Sequence, residues 1–211
     1  MSIHWSLLAP GALLLLFPTD LILSARVELR SFDRFRSLEN SPRSRPWWWV
    51  PALWLDPVRG LVGAWLLRMG LVGGETHWHA VAKPEYAAAV ALLIIGAIGQ
   101  VFTRQGDTDA RLAPMGYVAG VLFALVPWPL AAIGMVSSLL ALFAFRNFPA
   151  YFASGMSTIL LFGAVFDAPM MWVLPAAGVF AVPILTAFLT GGTLELPTRN
   201  LSAAPQSPPK A

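Results

Sequence analysis

Three charged side chains interrupt an otherwise apolar stretch between residues 47 and 72: Asp56, Arg59 and Arg68. Charges within apolar helices are costly in lipid, and they mark either an internal ion pair or contact with a substrate or lipid headgroup. Asp56 and Arg59 are three residues apart, the spacing at which two side chains share a helix face and neutralise each other. A second group is Glu75, His77 and His79. In an extended segment the two histidines point the same way, which suits a metal ion with Glu75 or His4 as third ligand. The competing reading is a pair of interfacial histidines flanking an anchoring Trp78. Acid–base catalysis needs proton carriers within reach of one reacting atom. Asp20, Gln100 and Asp167 fall at different expected depths, so no catalytic residue is assigned and no cofactor is expected.

The elements that position these groups follow from composition. The chain has 211 residues, 57% of them hydrophobic and 12% charged, with a mean hydropathy of +0.66. That charge is about half the usual share in a soluble domain, which excludes a free globular enzyme and points to a polytopic membrane protein. Cysteine is absent, so disulfides, thiolate metal sites and cysteine nucleophiles are excluded. Ser154-Gly155 resembles the serine–glycine pair of rhomboid proteases, but the preceding glycine is missing and no histidine falls within an expected helix.

Apolar runs predict an all-α, polytopic integral membrane bundle of about seven transmembrane helices, near 5-23, 50-72, 85-102, 114-127, 129-145, 149-167 and 169-190. Residues 112-145 could instead form one kinked helix, which would leave six. Pro127-Trp128-Pro129 near the middle of that run favours a hairpin, because proline removes backbone donors and biases its predecessor out of helix. The arginines arbitrate in the same direction. With the hairpin, Arg26, Arg30, Arg34, Arg36, Arg43, Arg45, Arg104, Arg111, Arg146, Arg199 and Lys210 share one face, and only Arg68 and Lys83 take the other. Asp56-Pro57 reads as a helix start, with Asp56 as N-cap. Trp5, Trp78, Trp128 and Trp172 are expected at the outer interface and Trp47 to Trp49 at the inner one. The amino terminus is then outside, the carboxyl terminus cytoplasmic, and a bacterial inner membrane is the expected location.

Residues 1-190 thus make a single transmembrane helical domain. It includes a cytoplasmic arginine-rich loop at 24-46, in which Arg26, Arg30 and Arg34 step by four while Leu29, Phe32, Phe35 and Leu38 step by three, as in an amphipathic helix resting on anionic headgroups. Nucleic acid is not an expected partner, because no aromatic-interleaved binding motif accompanies these arginines. Residues 191-211, rich in proline, read as a disordered cytoplasmic tail. Small residues recur at the spacing that lets membrane helices approach closely: Gly60 with Ala64; Gly116, Gly120 and Ala124; Ala150, Ser154 and Thr158. Such stripes serve packing within the bundle or against membrane-protein partners.

Small-residue stripes beside so little acid–base chemistry point first to a small non-catalytic multi-pass membrane protein, an accessory or structural subunit. The alternatives are a lipid- or small-solute-handling carrier using Asp56, Arg59 and Arg68 with headgroup contacts at Arg26, Arg30 and Arg34, and a membrane-embedded enzyme at the outer surface working through Glu75, His77, His79 and Asp167.

Overall fold

The computed structural model describes residues 4–17, 27–30, 51–71, 83–102 and 110–199. They form seven helices and three short strands: α1 (Trp5–Leu16), β1 (Val27–Arg30), α2 (Pro51–Leu71), α3 (Pro84–Val101), β2 (Ala110–Leu112), α4 (Met115–Leu125), α5 (Trp128–Phe145), α6 (Phe148–Val165), α7 (Met170–Thr190) and β3 (Thr193–Arg199).

Proline sets several boundaries. Phe17 leaves the helical region, with ψ of 123°, because it precedes Pro18, so α1 stops at Leu16 rather than near residue 23. The start of α2 also departs from the expectation: Pro51 is its first residue, Pro57 lies inside it, and Asp56 is therefore not its N-cap. Pro84 opens α3, with Glu85 in the first turn facing the positive end of the helix dipole. At 126–127 two residues adopt extended conformations, Val126 with ψ of 159° and Pro127 with ψ of 138°. The chain reverses there, and a Cβ built on Gly134 would stand 3.6 Å from Leu122 Cδ2. In one continuous helix these residues would be roughly 18 Å apart along the axis. Residues 112-145 are therefore a hairpin of two helices and not one kinked helix.

The next turns are equally local. Asn147 caps α6 by accepting from Ala150 N–H at 2.8 Å. Asp167 takes a left-handed conformation, with φ of 50°, and Ala168 N–H then donates to Gly163 O at 2.9 Å, which closes the end of α6 as a Schellman turn. Pro175 lies inside α7 and has no N–H to offer the carbonyl four residues back. That carbonyl, Met171 O, accepts instead from the Tyr86 hydroxyl at 2.6 Å.

The contacts fix the direction of each helix. Gly70 meets Leu8 and Gly63 meets Leu15, so α2 runs antiparallel to α1. Gly116 meets Asp56 and Pro57, Gly120 meets Leu61, and Arg68 reaches Ala124 and Leu125, which makes α4 parallel to α2. Gly134 of α5 meets Ile159 of α6 and Ser138 meets Gly155, so these two helices are antiparallel, and Gly155 and Gly163 of α6 meet Phe180 and Val173 of antiparallel α7. Tyr86 at Met171 and Ile94 at Gly178 make α3 parallel to α7. Successive helices therefore alternate, which puts Phe17, Gln100, Met115, Arg146 and Thr190 at one end of the bundle and Trp5, Arg68, Tyr86 and Trp128 at the other.

The Arg146 end carries a small sheet of order β1-β3-β2. β1 pairs antiparallel with β3, Leu29 opposite Pro197, and β2 pairs parallel to it, Arg111 opposite Leu194. Two expectations are corrected here. Residues 27–30 are a strand rather than part of an amphipathic helix, and residues 193–199 are a strand rather than disordered tail. The alternation Leu194, Leu196 and the neighbouring edges at 27–30 and 110–112 give that segment hydrogen-bond partners. Pro197 falls where β3 is paired on one side only, which its missing N–H allows.

Four of the helices, α3, α5, α6 and α7, are long and apolar enough to cross a membrane. Their outward side chains are apolar: Ile95, Leu140, Phe143, Leu161, Leu174 and Phe188 are all exposed. These features mark a membrane protein. The interior is packed with Tyr151, Phe152 and Phe180, whose rings stand 5.0 to 6.3 Å apart. Trp172 belongs to this interior as well, at 0% exposed. It stacks edge-on with Tyr86 instead of lying in an interfacial belt, whereas Trp5 and Trp128 are exposed.

Candidate functional site

The charges of α2 form the centre of the described polar chemistry. Arg59 Nη2 donates to Asp56 Oδ1 at 3.0 Å and to Gln100 Oε1 of α3 at 2.7 Å. Its Nη1 donates to the Phe17 carbonyl just beyond α1. Gln100 Nε2 also reaches that carbonyl, at 3.1 Å, and the Leu15 carbonyl at 3.4 Å. The Tyr117 ring of α4 lies 5.7 Å from Arg59 Cζ. Asp56, Arg59 and Gln100 are 8%, 6% and 1% exposed, so four helices meet around a closed cluster.

The physical sense of this cluster lies in the ends of helices. The last carbonyls of a helix have no partner within it and carry partial negative charge, and its first N–H groups carry the opposite. Arg59 and Gln100 serve the carbonyl end of α1. Asp56 lies against the first turn of α4, its Cβ 3.2 Å from where a Cβ would stand on Gly116, and α4 has no side-chain cap of its own. A cation at a helix C-terminus and an anion at a helix N-terminus are each the favourable choice.

Arg68 is separate. It follows Arg59 by nine residues, roughly 13 Å along the helix, so it does not join the cluster. Its Nη1 donates to Ala124 O at 3.2 Å and to Leu125 O at 3.4 Å, the terminal carbonyls of α4, and its guanidinium lies 5.0 Å from the centre of the Trp172 ring. From Asp56 to Arg68 along α2 is roughly 18 Å, about the length of α4, so the two charges bracket that helix.

Bracketing requires α2 and α4 to lie almost backbone to backbone. A Cβ on Gly60 would stand 2.5 Å from Tyr117 O, one on Gly116 2.8 Å from Pro57 Cδ, and one on Gly120 would meet Pro57 O and Leu61 N. Ala64 and Ala124 are buried in the same seam. On α6, Ser154 and Thr158 both bond Ser137 of α5, at 2.7 and 2.8 Å. These hydroxyls sit midway along both helices and line a groove of about 640 Å³ with Ala132, Ala141 and Phe162. Ala150 is in the first turn of α6 and does not join them.

Among the other residues singled out by the sequence, Arg26, Arg34, Glu75, His77 and His79 lie outside the described residues, and Arg30 is the last residue of β1. Asp167 is at the turn between α6 and α7, far from the α2 cluster. Gln100 and Tyr117 were not recognised as partners of Arg59. A detectable sign was that Gln100 is an amide near the end of a helix otherwise uncharged beyond Glu85. Arg111 of β2 was also missed as an interior group: it is 8% exposed and stacks 5.3 Å from the Phe102 ring centre.

No family model, curated protein or solved structure matches this chain.

Proposed function

We propose that the chain is a small non-catalytic multi-pass membrane protein, an accessory or structural subunit that crosses the bilayer seven times and packs with partner membrane proteins. The observation that carries this reading is the use made of the α2 charges. Arg59 and Arg68 bond carbonyls that end α1 and α4, and Asp56 pairs with Arg59 against the start of α4. Asp56 and Arg59, which a carrier would present to a solute, are here engaged in holding helices.

The alternating helix directions support a seven-span topology. The excess of arginine at the Arg146 end makes that face cytoplasmic, with the amino terminus outside, and a bacterial inner membrane is the location this bias fits. Anionic lipid headgroups then neutralise Arg26, Arg30 and Arg34. Reporter tags inserted after residues 40 and 200 should appear on the same face; opposite faces would refute the topology.

Purification in a mild detergent tests the function. A stoichiometric membrane-protein partner is expected, and a lone, stable particle would count against a subunit role. The carrier alternative makes a different demand: Asp56→Ala or Arg59→Ala should then abolish a lipid or solute flux.

A further inference from the structure

We propose that Arg68 binds the phosphate of a phospholipid in the leaflet at the Trp128 end of the bundle. The inference rests on the membrane-spanning reading but not on the existence of a protein partner. Arg68 is half-buried and held at two places: Nη1 is bonded to Ala124 O and Leu125 O, and Cζ lies 5.0 Å from the centre of the Trp172 ring. Nε is buried without a partner, while Nη2 makes no hydrogen bond among the described residues and reaches the surface. No carboxylate among them lies within ion-pair distance, the Asp56–Arg59 pair being at the opposite end. One positive charge therefore stands with Nη2 as its one open edge.

The depth of that edge follows from its neighbours. His4 N–H donates to Gly70 O at 3.1 Å, which ties Trp5 to the turn that carries Arg68. Trp128 follows Leu125, whose carbonyl Arg68 holds, by three residues. Trp5 and Trp128 are 68% and 75% exposed, and exposed tryptophans at the ends of membrane helices settle at the level of the headgroups. Arg68 is thus flanked on two sides by residues of the headgroup layer, where the abundant anion is the phosphodiester. A guanidinium edge donates well to phosphate oxygen, and one already oriented by backbone carbonyls loses little side-chain freedom on binding.

Native mass spectrometry of the full chain in detergent, with added phosphatidylglycerol, phosphatidylcholine or diacylglycerol, tests this directly. The unaltered protein should retain one phospholipid that Arg68→Gln binds about tenfold more weakly. Both phospholipids should bind, diacylglycerol should not, and excess inorganic phosphate should leave the lipid in place. Equal retention by Arg68→Gln with unchanged helicity would overturn the proposal, and displacement by inorganic phosphate would assign the site to a soluble oxyanion and overturn it too. If Arg68→Gln does not fold, the unaltered chain decides alone, since diacylglycerol retained as well as phosphatidylglycerol excludes a phosphate contact. Partner loss during purification affects none of these readings.

Discussion

Removing Arg59 should harm the protein more than removing Arg59 and Asp56 together. In Arg59→Ala the Asp56 carboxylate, 8% exposed, loses its hydrogen-bonded counterion, and Gln100 Oε1 loses the donor at 2.7 Å. Breaking a buried pair from one side costs about 3–5 kcal/mol, because a charge is left without compensation. In Asp56→Ala the guanidinium keeps Gln100 Oε1 and the Phe17 carbonyl, so the cost falls to about 1–3 kcal/mol. The double variant leaves no buried charge, only unmet polar atoms, and should recover about 1–3 kcal/mol relative to Arg59→Ala. Reversible unfolding in mixed dodecyl sulfate micelles, followed by far-ultraviolet circular dichroism, gives all three values. A double variant no more stable than Arg59→Ala would refute the idea that the carboxylate depends on Arg59. Arg59→Ala within 1 kcal/mol of the unaltered protein would refute the closed cluster altogether.

Two further predictions follow from the packing. Gly120→Ala places a methyl against Pro57 O and Leu61 N and should cost about 1–3 kcal/mol in the same assay, whereas Gly99→Ala, whose methyl meets nothing within 4 Å among the described residues, should gain up to about 1 kcal/mol from helix propensity. Tyr86→Phe removes the donor to Met171 O and should cost about 1 kcal/mol; in a Pro175→Ala background, where residue 175 regains its N–H, that cost should largely vanish.

The helices were legible because apolar runs alternate with proline and arginine, and the hairpin was legible in Pro127-Trp128-Pro129. What stayed hidden was adjacency. The three-residue spacing of Asp56 and Arg59 announces a pair within one helix, but spacing says nothing about which other helix lies alongside, so Gln100 was assigned a depth and no partner. Trp172 shows the same gap: its position at a helix end suits an interfacial belt, and only its packing against the Tyr86 ring and the Arg68 guanidinium reveals that it is interior. The strand at 193–199 was obscured by the prolines that follow it, since composition averaged over the tail outweighed the local alternation of Leu194 and Leu196.

The charges of α2 also answer a difficulty raised by its neighbours. α1 and α4 have 12 and 11 residues, roughly 18 and 17 Å against roughly 30 Å of hydrocarbon. In the proposed seven-span topology a helix that short must end inside the apolar layer or thin it, and either way its terminal backbone groups meet little water. An uncharged α2 would insert more readily, but it would leave the carbonyls of Ala124 and Leu125 without the donor they now have and that of Phe17 with Gln100 alone. In that topology the three charges that make α2 the least apolar of the long helices are what allows two helices beside it to be short. Lengthening α4 would remove the need for Arg68 as a cap, while shortening α2 by one turn would separate Asp56 and Arg68 from the ends they serve.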